Sequence, residues 1–196
     1  MKRSTILVAL GAAVGLAALL RQHREAARAR EGTLHRLGPD GRAEAEDAGG
    51  GVHRAVAAWL PERPASRTGR VLTALWASPL TALGVLAGLL GGVLPRWDTA
   101  HGALVVQPVR GPMRWFLHLQ SANAATLGQV VVLRDRTASP ELLLHEAQHA
   151  RQQERLGPLF ALAYPTASAC WGYRRNPFEV AARTAARRLS GPSTSS

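Results

Sequence analysis

The sequence predicts a small α+β domain in which one long helix lies beside a short β-sheet, preceded by one or two apolar helices. Three observations predict it. Two uncharged stretches, residues 5–20 and 71–94, stand in an arginine-rich N-terminal half. Two short segments rich in β-branched residues follow, and residues 140–156 then carry the local marks of a helix.

The first apolar stretch follows Lys2-Arg3, and Arg21, Arg24, Arg28 and Arg30 come directly after it without a small-x-small cleavage site. Residues 1–30 therefore read as an uncleaved anchor more than a secretory signal. Residues 31–70 read as a polar, partly disordered linker, with Gly49-Gly50-Gly51 and one short amphipathic piece at residues 52–60. Residues 71–94 are long enough to cross a bilayer with some tilt. The competing reading is a core helix that begins at Ser78-Pro79, with serine capping and proline leading. If both stretches span, the arginine-rich linker belongs in the cytoplasm and both tails lie outside the membrane.

Charge excludes less than its size suggests. The formal net charge is +11, but 23 of the 24 basic residues are Arg, spread along the chain, and no nucleic-acid module accompanies them. Nucleic acid is therefore not an expected partner, and membrane lipid is. Cys170 is alone, so no intrachain disulfide is available; its uncharged surroundings predict a small buried hydrophobe.

From residue 95 to 190 the pattern is that of a compact domain, with residues 191–196 as a disordered tail. Residues 103–109 and 127–133 read as strands and residues 112–120 as a short helix. The long helix follows: Ser139 caps, Pro140 suits the first position, Glu141 favours the positive end, and Gly157-Pro158 stops it. Inside it stands His145-Glu146-Ala147-Gln148-His149, an H-E-x-x-H sequence. Helical positions i and i+4 share a face, so both imidazoles address one point while Glu146 stands beside it. That combination suits Zn2+ held by His145 and His149, with Glu146 as general base toward a water whose pKa the metal lowers to about 7. Leu142, His145, Glu146, His149, Gln153 and Leu156 fall on one side of the helix, and Leu143, Ala147 and Ala150 form a second, apolar stripe.

Catalytic zinc takes three protein ligands. Gln152 and Arg155 stand where a metzincin carries Gly and His, so the third ligand must come from elsewhere. Glu179, in Asn176-Pro177-Phe178-Glu179 at the start of a predicted helix over residues 177–189, is the best candidate. The same spacing is a capping box, Asn176 at the N-cap with Glu179 three residues on, and local sequence alone leaves ligand and cap equally open. His101, His118, Asp135 and Glu154 are competitors.

The run from His145 through Gly157-Pro158-Leu159-Phe160, then Ala163-Tyr164, then Asn176-Pro177-Phe178-Glu179-Val180-Ala181-Ala182, resembles a group of small bacterial membrane-associated proteins. These carry an H-E-x-x-H-x-x-Q helix followed by G-P-L-F and N-P-F-E elements, in a layout similar to gluzincin metallopeptidases. The resemblance covers roughly the last hundred residues. It implies a zincin-like domain with His145, His149 and Glu179 as ligands to Zn2+, Glu146 as base, and a peptide or protein as substrate. Residues 127–131 resemble the group's strand before the helix, where a histidine often stands at the Gln129 position. Tyr164, Tyr173 and Arg174 are the candidates for oxyanion stabilisation. The alternative is a non-catalytic protein in which the same metal ties helices together or a binding surface has replaced activity.

Overall fold

The computed structural model describes residues 50–120 and 122–190. The expected anchor at residues 1–30, most of the linker before residue 50 and the tail at 191–196 lie outside these residues. The described chain forms two compact units, one gathering residues 50–59 with Ala161–Val180, the other Leu60–Phe160 with residues 181–190.

The larger unit is built on a four-stranded mixed sheet. Its strands are β1 (Arg96–Asp98), β2 (Ala103–Val106), β3 (Ala124–Leu127) and β4 (Val130–Leu133), in the order β1-β2-β4-β3. The β2–β4 pairing is parallel and the other two are antiparallel. Where one strand was expected over residues 127–133 there is a hairpin. Gly128, at φ +61°, turns the chain between β3 and β4, and a side chain there would strike Thr81. The first expected strand ends at Val106, three residues early, at Gln107-Pro108, because proline has no N–H to extend a ladder. The short helix, α3 (Gly111–Leu119), forms within one residue of its expected place.

Period-two alternation divides the β4 side chains between two apolar layers, which is why an uninterrupted Val-Val-Val-Leu run is buried throughout. Val130 and Val132 join Val106, Val109 and Leu117 on one face, and Val131 and Leu133 join Ala103, Leu142 and Leu143 on the other. The first face is covered by α3 and by α2 (Arg67–Leu90), a helix of 24 residues. The second is covered by α4 (Pro140–Leu156), capped by Ser139 accepting from Leu142 N–H and ended at Gly157, as the sequence predicts.

The α2 helix begins at a Ser66 cap, not at Ser78-Pro79, and runs through Pro79. Proline removes the N–H that would reach Leu75 C=O, and the Ser78 hydroxyl donates to that oxygen instead at 2.7 Å. Ala77, Leu80, Gly84 and Gly88 form its buried row. A Cβ at Gly84 would stand 2.6 Å from Val130 Cβ, and one at Gly88 would stand 2.9 Å from Val106, so the helix approaches the sheet more closely than a larger residue permits. Among the described residues it is the one helix long and apolar enough to cross a membrane.

In the smaller unit, α1 (Gly51–Ala57) turns part of the expected linker into helix, and His53 anchors it by a 2.8 Å hydrogen bond to Arg175 O and an edge contact with Trp171. The uncharged segment after α4 is a 3-10 turn and a helix, α5 (Phe160–Trp171). Cys170 is exposed, contrary to the expectation of burial. Leu162, Thr166 and Cys170, four residues apart, form an exposed row of α5, whereas Ala167 and Ser168 point inward.

Gly84→Ala decides whether this close approach governs stability. In an exposed helix the change stabilises by about 1 kcal/mol. Here we expect a net loss, because Val130 must move, and thermal unfolding should show a lower midpoint than for the unaltered chain.

Candidate metal centre

On α4 the two histidine rings stand 4.8 Å apart between centroids, with planes at 85°. His149 is buried, and its Nδ1 lies 2.9 Å from Gln152 Oε1. With a carbonyl oxygen as partner, Nδ1 carries the hydrogen, so the ring lone pair stands on Nε2. Gln152, fully buried, thus fixes the ring tautomer from one turn further on. The i, i+3 reach of glutamine on a helix was the available signal for it.

Glu146 is also buried, at 5% exposure. The Thr126 hydroxyl on β3 lies 2.7 Å from its Oε2 and 3.1 Å from its backbone oxygen. Donation to Oε2 holds the carboxylate in one orientation and leaves Oε1 for a proton. Thr126 pairs with Val131 across the hairpin and shares its face of the sheet, toward α4. Sequence reading missed Thr126 because one strand was read where the hairpin lies, so β3 was not seen.

Arg151, Gln153 and Glu154 of α4 are buried as well. Gln153 accepts from Gly128 N–H at 2.6 Å and donates to Thr126 O at 2.9 Å, spanning the end of β3. Arg151 pairs with Glu154 at 2.6 Å and donates to Gly102 O at 2.7 Å. Glu154 also accepts from Gln129 Nε2 at 2.6 Å, so Gln129 braces α4.

Those contacts remove Glu154 from the ligand candidates. His101 is engaged by Asp98 at 2.7 Å and Asp135 by Arg134 at 3.3 Å. Burial raises the Asp98 carboxyl, but hydrogen bonds from the His101 ring and from His101 and Ala100 N–H, together with the His101 charge, hold it below the ordinary carboxylate range. His118 is exposed on α3, the helix on the opposite face of the sheet from α4.

Glu179 lies in the first turn of α6 (Pro177–Ser190) and is buried at 2% exposure. The reciprocal capping box does not form. The Asn176 side chain accepts from Phe178 N–H at 3.0 Å, and Asn176 N–H donates to Tyr173 O. The Glu179 carboxylate is instead held by the Tyr164 hydroxyl, which donates to Oε1 at 2.6 Å. Tyr164 is thereby occupied as a support for Glu179, while Tyr173 and Arg174 are exposed in the turn before α6. One ligand atom from each of His145, His149 and Glu179 can be chosen so that all three lie within 4.8 Å of one another. Two imidazoles and a carboxylate are a donor set suited to Zn2+.

No protein-family model, curated protein or solved structure matches the chain.

The separation of cap from carboxylate is open to a stability test. Asn176→Ala should lower stability by about 1 kcal/mol through the lost cap. Glu179→Gln keeps an acceptor for Tyr164 and should shift the unfolding midpoint less, as paired thermal melts of metal-free protein would read out.

Proposed function

We propose that this protein is a membrane-associated zinc metallohydrolase with a zincin-like domain, acting on a peptide or protein. The observation that carries the reading is the convergence of His145, His149 and Glu179, three donors of the right chemistry, with a buried carboxylate at Glu146 on the same helix as the two histidines. The resemblance to gluzincin-like bacterial proteins supports the same assignment. In this reading His145, His149 and Glu179 hold Zn2+, which supplies Lewis acidity to acidify a water and polarise a carbonyl.

The chain's own residues do the rest. Glu146 Oε1 takes the proton of the attacking water and then returns it to the leaving nitrogen, with Thr126 holding Oε2 so that the base does not rotate away. Gln152 keeps His149 in the tautomer that offers Nε2, and Tyr164 fixes Glu179 through Oε1. A structural metal tying helices together would use a fourth protein ligand. Among the described residues the cluster comprises three, which favours the catalytic reading over the binding-module alternative.

Two sets of variants test this. Purified full-length chain should carry one zinc per chain, His145→Ala and His149→Ala should lose most of it, and Glu146→Gln should keep it while losing hydrolysis of a peptide pool by 10²-fold or more. Zinc content unchanged in both histidine variants contradicts the site. Thr126→Val should lower kcat by about tenfold with zinc content and KM near unchanged, and Thr126→Ser should restore it, as expected for a group that only orients the base. Equal kcat in Thr126→Val would remove that role.

A further inference from the structure

The exposed side of α2 raises a question that its length alone does not answer. Leu72, Leu83 and Leu90 lie on one row of the helix and are 61%, 54% and 66% exposed, with Leu75, Trp76 and Leu86 beside them. No charged residue occurs between Arg70 and Arg96. A helix with this composition is normally read as a span.

Its other side argues against that. Thr81, Gly84 and Gly88, in the interior of the helix, meet the sheet at Gly128, Val130 and Val106. A span would put this portion in the hydrocarbon and take the sheet with it, including the outer edges of β1 and β3. Unpaired strand edges are not tolerated there, since lipid offers their N–H and C=O groups no partner.

Charge identifies the surface that suits the apolar row. Exposed Arg67 and Arg70 stand in the first turn of α2, and exposed Arg110 stands near its end, where Gly91 approaches the Arg110 backbone. Between Glu62 and Asp135 the only acidic residue is Asp98, and it is engaged by His101. An apolar row on a helix with arginine at both ends and no acidic residue in its length suits a bilayer surface with anionic headgroups.

We propose that α2 lies in the plane of such a membrane, its Leu72–Leu83–Leu90 row at the boundary of headgroups and acyl chains and its glycine row on the sheet, and does not cross. This rests on the membrane association proposed above and specifies its geometry. A spanning α2 would separate positions 72 and 90 by about 27 Å along the membrane normal, whereas an in-plane one holds them at one depth.

Nitroxide depth measurement by power saturation tests it on the full chain carrying Cys170→Ser, with single cysteines at Leu72, Leu83 and Leu90. Leu75 and Leu86 serve as replicates should one label disturb folding. The vesicles are phosphatidylcholine with one-third phosphatidylglycerol. The expected result is one shallow depth for all three labels, shifting toward water in phosphatidylcholine alone. A depth passing through the bilayer centre identifies a span and overturns the in-plane geometry while leaving membrane association intact. Labels that contact no lipid, because a second copy or residues 5–20 cover the row, overturn both. Equal depth in neutral vesicles overturns the role of the anionic headgroups.

Discussion

The buried polar side of α4 is the constraint on which the larger unit depends. Arg151, Gln152, Gln153 and Glu154 are four consecutive polar residues, all with less than a tenth of their surface exposed. Burying such groups is costly unless every donor and acceptor finds a partner. Here Gln153 takes the free N–H of Gly128 and the carbonyl of Thr126, Glu154 takes Gln129 and Arg151, and Arg151 takes the carbonyls of the β1–β2 turn. The helix thus finishes the hydrogen bonding of two sheet connections, and sliding by one residue would break all of these bonds together. Glu146 and Thr126 meet because that registry is fixed two turns further along the same helix.

The same contacts explain which parts of this molecule were legible in the sequence. The α4 boundaries were legible because Ser139, Pro140 and Gly157 are local signals, and the histidine pair because i, i+4 geometry is intrinsic to a helix. The β3–β4 hairpin was not, because Leu127 and residues 130–133 form one apolar run and only Gly128 marks the reversal. Whether the apolar helix starts before residue 78 was open, because Ser78 and Pro79 also look like an N-terminal signal, and α2 runs through Pro79. Its cost is relieved by Ser78, a compensation within the helix that no propensity argument anticipates. Cys170 was misassigned because the absence of charge in α5 was taken for burial, and an apolar helix can still turn a row of side chains outward.

Glu179 shows how one spacing serves two chemistries until the partners are known. An asparagine N-cap with glutamate three residues on satisfies the capping-box pattern, yet Asn176 spends its side chain on Phe178 N–H and its own N–H on Tyr173 O. The carboxylate accepts from Tyr164, fifteen residues earlier on α5. That pairing depends on the tertiary fold and had no signature in local sequence. It accounts for how a buried carboxylate is oriented, a requirement shared by any ligand that must approach a metal from a fixed direction.

The proposed chemistry stands or falls with the identity of the donors around the metal. X-ray absorption at the zinc edge, on full-length protein loaded with one equivalent of Zn2+, reads those donors directly. The account predicts a shell of nitrogen and oxygen scatterers at about 2.0–2.1 Å, with the outer-shell pattern of two imidazoles and no sulfur. A sulfur scatterer at about 2.3 Å, which would bring Cys170 into the shell, or a shell without imidazole, would contradict it.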